Sequence, residues 1–123
     1  MHHPRWSSGG AHGNTQRLSA AWDIMYDAGV DVVLSAHDHS YERFAPLTPD
    51  GQINHVSGIR SFVVGTGGAS LSPFGSQIVT GSEVRNASTF GVLRLTLRKR
   101  DYSWRFVAVP GSNFVDSGTS VCH

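Results

Sequence analysis

Histidines 37 and 39 stand one residue apart in Ser35-Ala36-His37-Asp38-His39-Ser40-Tyr41-Glu42-Arg43, directly after the apolar run Val32-Val33-Leu34. Three more, His2, His3 and His12, lie in the opening stretch Met1-His2-His3-Pro4-Arg5-Trp6-Ser7-Ser8-Gly9-Gly10-Ala11-His12-Gly13-Asn14. Imidazole is a common ligand for divalent ions, so these two stretches are where the chain would hold a metal. Along an extended chain, residues two apart point the same way and are separated by about 6.6 Å. Ions paired for phosphoryl chemistry lie ~3.5–4 Å apart, and each nitrogen–metal bond adds about 2 Å, so His37 and His39 suit one ion each. A bent backbone would instead let both close on a single ion. Hydrolytic sites also need carboxylates, and Asp38 would point away from its neighbours if the chain stays extended. A His-x-His pair by itself is more often the composition of an exposed loop than of a ligand set.

The elements around these residues are legible from pattern. Pro4 and the Ser/Gly cluster after it make the opening stretch a loop. Leu18, Ala21, Trp22 and Met25 recur at three- and four-residue spacing, which predicts a helix over Thr15 to Ala28, capped by Asn14 or Thr15 and closed by a left-handed Gly29 with Val30 behind it. The unbroken apolar positions of Asp31 to Ala36 predict a strand covered on both faces. His37 and His39 then fall at the carboxyl end of a strand, where ligands gather in open α/β sheets. Tyr41 to Leu47 reads as an edge or turning strand ended by Thr48-Pro49-Asp50-Gly51, and Ile59 to Thr66 as a second buried strand. The run Gly65-Thr66-Gly67-Gly68 lacks the Lys-Ser/Thr ending of a phosphate-binding loop and is read as a tight turn. Residues Ala69 to Thr89 read as a long polar loop. Phe90 to Arg98 and Tyr102 to Pro110 alternate as a hairpin, with Leu93, Leu95 and Leu97 on one face.

At 123 residues the chain is no more than one domain. A net charge of +1 with 15% charged residues excludes the basic footprint of a nucleic-acid binder. No apolar run approaches the ~20 residues of a membrane span, and the opening residues lack the basic-then-apolar pattern of a signal peptide, so no membrane partner is expected. The single cysteine, Cys122, has no partner in the chain and reads as a free thiol or half of an external bridge.

Ala36-His37-Asp38-His39-Ser40-Tyr41-Glu42-Arg43 resembles the Gly-His-x-His motif, commonly extended by Tyr-Glu-Arg, of calcineurin-like metallophosphoesterases, especially their purple acid phosphatase branch. His2-His3-Pro4-Arg5-Trp6-Ser7-Ser8-Gly9 with Ala11-His12-Gly13 resembles the preceding block of the same family, in the right order and at the expected distance. Gly58 to Gly68 and the final hairpin also look like the C-terminal part of secreted bacterial members. The resemblance implies an α/β fold, the β-rich C-terminal half of a four-layer α/β/β/α sandwich with one main helix, and a phosphate ester as substrate. It implies two metal ions (Fe, Zn, Mn or similar), with His2 and His37 on one and His39 on the other. His12 would be the catalytic residue beside the leaving group, as substrate contact or general acid. His3 aligns with a position that need not be a ligand, and Tyr41, Glu42 and Arg43 would buttress the turn. Such ions lower the pKa of bound water toward ~7 and neutralise phosphate charge. Near two cations, His12 would rely on the negative substrate to keep its proton.

The family's earlier blocks, Asp-x-His, Gly-Asp-x-x and Gly-Asn-His-Glu/Asp, are missing, and with them the bridging Asp and the Asn ligand. Residues 1–123 are therefore expected to be the C-terminal part of a metallophosphoesterase domain with little phosphatase activity of its own. The alternative is a non-catalytic metal-binding or protein-binding module that keeps the second half of the fold. An unrelated zinc hydrolase is disfavoured, since there is no His-Glu-x-x-His and no cysteine set. The Asp31 to Ala36 strand would normally be covered by the absent half, which predicts self-association through an exposed sheet edge. Cys122 suits a parent secreted to an oxidising compartment. Ala36 in place of the motif's usual Gly is expected to tighten the turn.

Overall fold

In the computed structural model, which describes residues 1–123, the one α-helix forms where the apolar stripe predicts it, but shorter. A single 3-10 turn, Gln16–Leu18, precedes α1, Ser19–Asp27. The start is ragged because neither Thr15 nor Leu18 caps with its side chain, while the Asn14 Oδ1 expected to cap accepts the Ser7 N–H instead, at 2.8 Å. The end is well defined. Gly29 takes φ +70°, and the N–H groups of Gly29 and Val30 donate to Tyr26 and Met25 at 3.0 Å each. This is the paired-bond termination that a left-handed glycine allows.

Seven strands follow in two sheets. β1 (Val32–Ser35), β2 (Tyr41–Phe44), β3 (Arg60–Val64) and β4 (Ser82–Asn86) form a mixed sheet in the order β1-β3-β2-β4, with β1 parallel to β3 and the other pairs antiparallel. β5 (Gly91–Leu97), β6 (Asp101–Ala108) and β7 (Ser117–Val121) form an antiparallel sheet in sequence order. One face of the first sheet packs Val33, Phe44 and Val63 against Trp6, Trp22, Leu47 and Ile59 beneath α1. The other face packs Tyr41 and Phe62 against Tyr102, Trp104 and Phe106 of β6. Adjacent residues such as Phe62 and Val63 thus serve opposite cores, as the period of two requires. The layers run helix, sheet, sheet. The outer face of the second sheet has no helix over it and exposes the cross-strand pair Val92 and Val107.

Three expectations need correction, and one further strand arises where the sequence shows no pattern. β1 is not covered on both faces: it lies at the sheet edge and leaves Leu34 40% exposed. β2 is an interior strand rather than an edge, because β4 pairs with its far side. β4 itself arises within the stretch expected as loop, with a register shift at Arg43/Phe44 where β2 bends. β7 arises in the tail and is held by β6. Neither β4 nor β7 carries enough apolar residues to announce itself in sequence, since partner strands rather than side chains fix them.

Candidate metal centre

The chain between β1 and β2 is not extended. The Asp38 N–H donates to Ala36 O and the Ser40 N–H to Asp38 O, each at 2.8 Å, so His37 and His39 are the central residues of two successive three-residue turns. His37 has φ +62°, the one non-glycine residue with positive φ. A side-chain-bearing residue in that region costs about 1–2 kcal/mol. Ala36 stays at negative φ, so its methyl group costs the turn nothing. The chain therefore lacks the even spacing of an extended strand here, and the two imidazoles diverge to different partners, His37 to His2 and His39 to Ser70.

His37 turns toward the opening stretch. That stretch is anchored by the Ala36 N–H donating to His2 O at 2.9 Å and by Thr15 N–H donating to Arg5 O at 3.3 Å. Buried residues Pro4 through Ser8 follow. His37 Nδ1 lies 3.1 Å from His2 Nε2. The His37 ring centroid is 3.9 Å from that of His3 and 4.0 Å from that of His12. Two nitrogens bound tetrahedrally to one ion at 2.0–2.1 Å are separated by about 3.3 Å, so the His2–His37 pair fits a shared ion. Burial and then the neighbouring His12, His3 and His2 push the His37 pKa below its ordinary value, which favours the neutral, metal-competent imidazole.

His39 turns the other way. Its Nδ1 is 3.0 Å from Ser70 O. A carbonyl only accepts, so Nδ1 carries the proton and Nε2 keeps its lone pair. Metal-binding histidines are commonly oriented in this way. The loop that supplies Ser70 is tied to His39 again by Ser72 N–H donating to His39 O at 2.9 Å.

Asp38 lies beneath the two turns and is 1% exposed. Its Oδ2 accepts the Ser7 hydroxyl at 2.5 Å, while Oδ1 has no partner. A Cβ on Gly9 would fall 2.2 Å from Asp38 Cγ, and one on Gly65 would fall 2.0 Å from Asp38 O. Gly9 is therefore needed for the close approach of the two histidine-bearing stretches, and Gly65 for that of the end of β3 to the turn. Glu42 joins the same stretches one strand further in: fully buried, it accepts Ser8 N–H at 2.8 Å and the Ser82 hydroxyl at 2.5 Å.

Of the residues singled out in sequence, the structure brings His2, His37 and His12 together and holds His39 apart on the adjoining turn. It adds His3, whose donor atom lies with those of His2 and His37 within a mutual 4.8 Å. No carboxylate joins this group. Beside it opens a cavity of about 860 Å³ lined by His3, His12, His37 and Arg17 among others. Asp38 could have been suspected from its place between two histidines. Ser7, Ser70 and Gly9 carry no local signal, because their roles exist only once distant segments meet.

No family model matches the chain. Among curated proteins, it is 43% identical to purple acid phosphatase 21 of Arabidopsis thaliana over 49 residues, 38% of this chain and 11% of that protein. It is 29% identical to acid phosphatase A of Cryphonectria parasitica over 126 aligned positions, 96% of this chain and 25% of the relative. Among solved structures, a purple acid phosphatase isolated from yellow lupin (Lupinus luteus) seeds superposes with a TM-score of 0.74 at 24% identity, covering 93% of this chain and 22% of the lupin chain. The chain thus spans a quarter or less of the length of each of these relatives.

Proposed function

We propose that this purple-acid-phosphatase-like chain forms one wall of a two-ion site that hydrolyses phosphate esters, and that residues 1–123 are the C-terminal part of the metallophosphoesterase domain. The observation that carries this reading is the divergence of the two turn histidines. His37 meets His2 at 3.1 Å, while His39, with Nδ1 committed to Ser70 O, presents Nε2 elsewhere. His2 and His37 would hold one ion and His39 the other. Once bound, the ions would activate water and offset the charge of the phosphate.

The chain's own residues divide the remaining work. The His37 turn and the Ala36–His2 backbone bond fix the first pair of donors. His12 and Arg17, both exposed on the cavity, face an incoming phosphate group with donors and positive charge. A protonated His12 imidazole would hand its proton to the departing ester oxygen, the step in which a weakly acidic alcohol needs help. The carboxylates that such a site requires are not among these residues, and we assign them to the portion of the domain that the longer relatives carry. The outer face of the second sheet, with Val92 and Val107 exposed, supports a further layer from the same source.

The test is a chimera in which this chain replaces the matching portion of the lupin enzyme, assayed with 4-nitrophenyl phosphate. A folded chimera should turn over the ester, lose activity on chelation, and lose about 100-fold or more in kcat with His39→Ala. The isolated chain should show negligible turnover. A folded chimera that loads two ions without hydrolysing the ester would refute the reading.

A further inference from the structure

We propose that His3 is itself a metal ligand, so that His2, His3 and His37 make a three-imidazole site able to hold one zinc-like ion on this chain alone. The inference rests on the reading of His2 and His37 as ligands and extends it to a residue that the family resemblance leaves without a role.

The three donors come from two segments 34 residues apart in sequence, and both segments are fixed. The His2 carbonyl accepts Ala36 N–H at 2.9 Å, Pro4 is fully buried behind His3, and Asp38 locks the turn that carries His37 to Ser7 at 2.5 Å. The backbones are held while the His2 and His3 side chains are exposed. Donor atoms within 4.8 Å of one another therefore need only side-chain rotation to approach the ~3.3 Å separation of a tetrahedral site. His2 and His37 are already there, and the His3 ring lies 5.1 Å from His2 and 3.9 Å from His37 between centroids. His39, with Nδ1 on Ser70 O, is not among the clustered donors.

The donor set also selects the metal. Three neutral nitrogens with no carboxylate favour zinc and cobalt over magnesium, calcium and manganese, which prefer oxygen. The cavity along His3, His12 and Arg17 leaves the cluster open to a solvent or anion ligand, as a three-histidine ion requires.

The experiment is titration of the tag-free chain with Zn(II) by calorimetry and with Co(II) by visible absorption, with bound metal counted by elemental analysis. We expect one ion per chain, intense tetrahedral Co(II) bands, and no competition from a large excess of Mg(II). Loss of an outer-shell partner costs about 10–100-fold in affinity, so removal of a direct ligand in His3→Ala should cost about 100-fold or more. His55→Ala, an exposed histidine outside the cluster, should change affinity less than threefold. Zinc-induced shifts of the His3 ring nitrogens in the unmutated chain give the same answer without relying on a variant to fold. Affinity unchanged by His3→Ala but lost in His2→Ala and His37→Ala would overturn the role of His3 and leave the two-ion reading standing. Affinity unchanged in all three variants would overturn both, and no zinc binding by the isolated chain would overturn the stand-alone site.

Discussion

Asp116 and Asp38 are both buried carboxylates, 7% and 1% exposed, yet their surroundings differ sharply. Asp116 sits between the two sheets and uses both oxygens. It accepts the Tyr41 hydroxyl at 2.6 Å, Arg43 Nε at 2.8 Å, Arg43 Nη2 at 3.2 Å and Trp104 Nε1 at 3.2 Å. Burial, and then the Asp116 hydrogen bond and charge, keep the Tyr41 phenol protonated far beyond its ordinary range. Burial disfavours the Arg43 cation, but Asp116, Glu83 and Tyr41 outweigh it and raise its pKa. Asp38 has one hydroxyl for company and an oxygen with no partner. Buried polar groups are normally satisfied, and exceptions cluster with strained backbone at sites that do something other than stabilise the fold. Here the under-satisfied carboxylate lies directly beneath the strained His37. The carboxylate at the sheet interface is fully used, while the one at the turn is half used.

Breaking the satisfied centre should have the largest effect. Asp116→Ala strands the Tyr41 hydroxyl, the Trp104 N–H and the buried face of Arg43 together, and we expect a loss of about 3–5 kcal/mol in urea unfolding. A loss below about 1 kcal/mol would mean that the inter-sheet network is not a stability centre, and the contrast with Asp38 would fall. The intermediate effect sits at the turn. Gly9→Ala drives a methyl group into Asp38 and should cost about 1–3 kcal/mol by overpacking. In an Asp38→Ala background the collision disappears, and the same substitution should cost less than about 0.5 kcal/mol. An undiminished cost in that background would show that Gly9 is not held against Asp38.

How much of this could be read in sequence follows from the range of the interactions. The helix, its glycine termination and the β5–β6 hairpin rest on contacts between near neighbours, and their residue patterns show it. The stretch around His37 and His39 stood out as a candidate site through its resemblance to a known motif rather than through its residue types alone. The sequence did not show that His37 bends out of the extended chain, since that depends on the Asp38 anchor to Ser7 and the Gly65 approach. Nor did it show His3 in the cluster, because adjacency of residues 3 and 37 is a product of the fold. Asp116 lay in a tail with no apolar alternation, and two of its three partner residues are 73 and 75 residues upstream. The Tyr41 and Arg43 side chains that meet it were visible as part of the motif, but what they reach was not.

The smallest effect isolates the strain itself. Replacing His37 by Gly or by Ala removes the same imidazole, so in the folded chain the two variants differ in how each tolerates φ +62°. Alanine retains the Cβ that crowds the left-handed region, whereas glycine does not. Glycine gains freedom in the unfolded chain, which offsets part of that advantage. We therefore expect His37→Gly to be more stable than His37→Ala by about 1 kcal/mol, with neither retaining the zinc affinity of the unaltered chain. Equal stabilities would indicate that the turn relaxes once the histidine is gone. The positive φ would then be a consequence of the imidazole's contacts with His2, His3 and His12, and the Asp38 anchor would not be enforcing it.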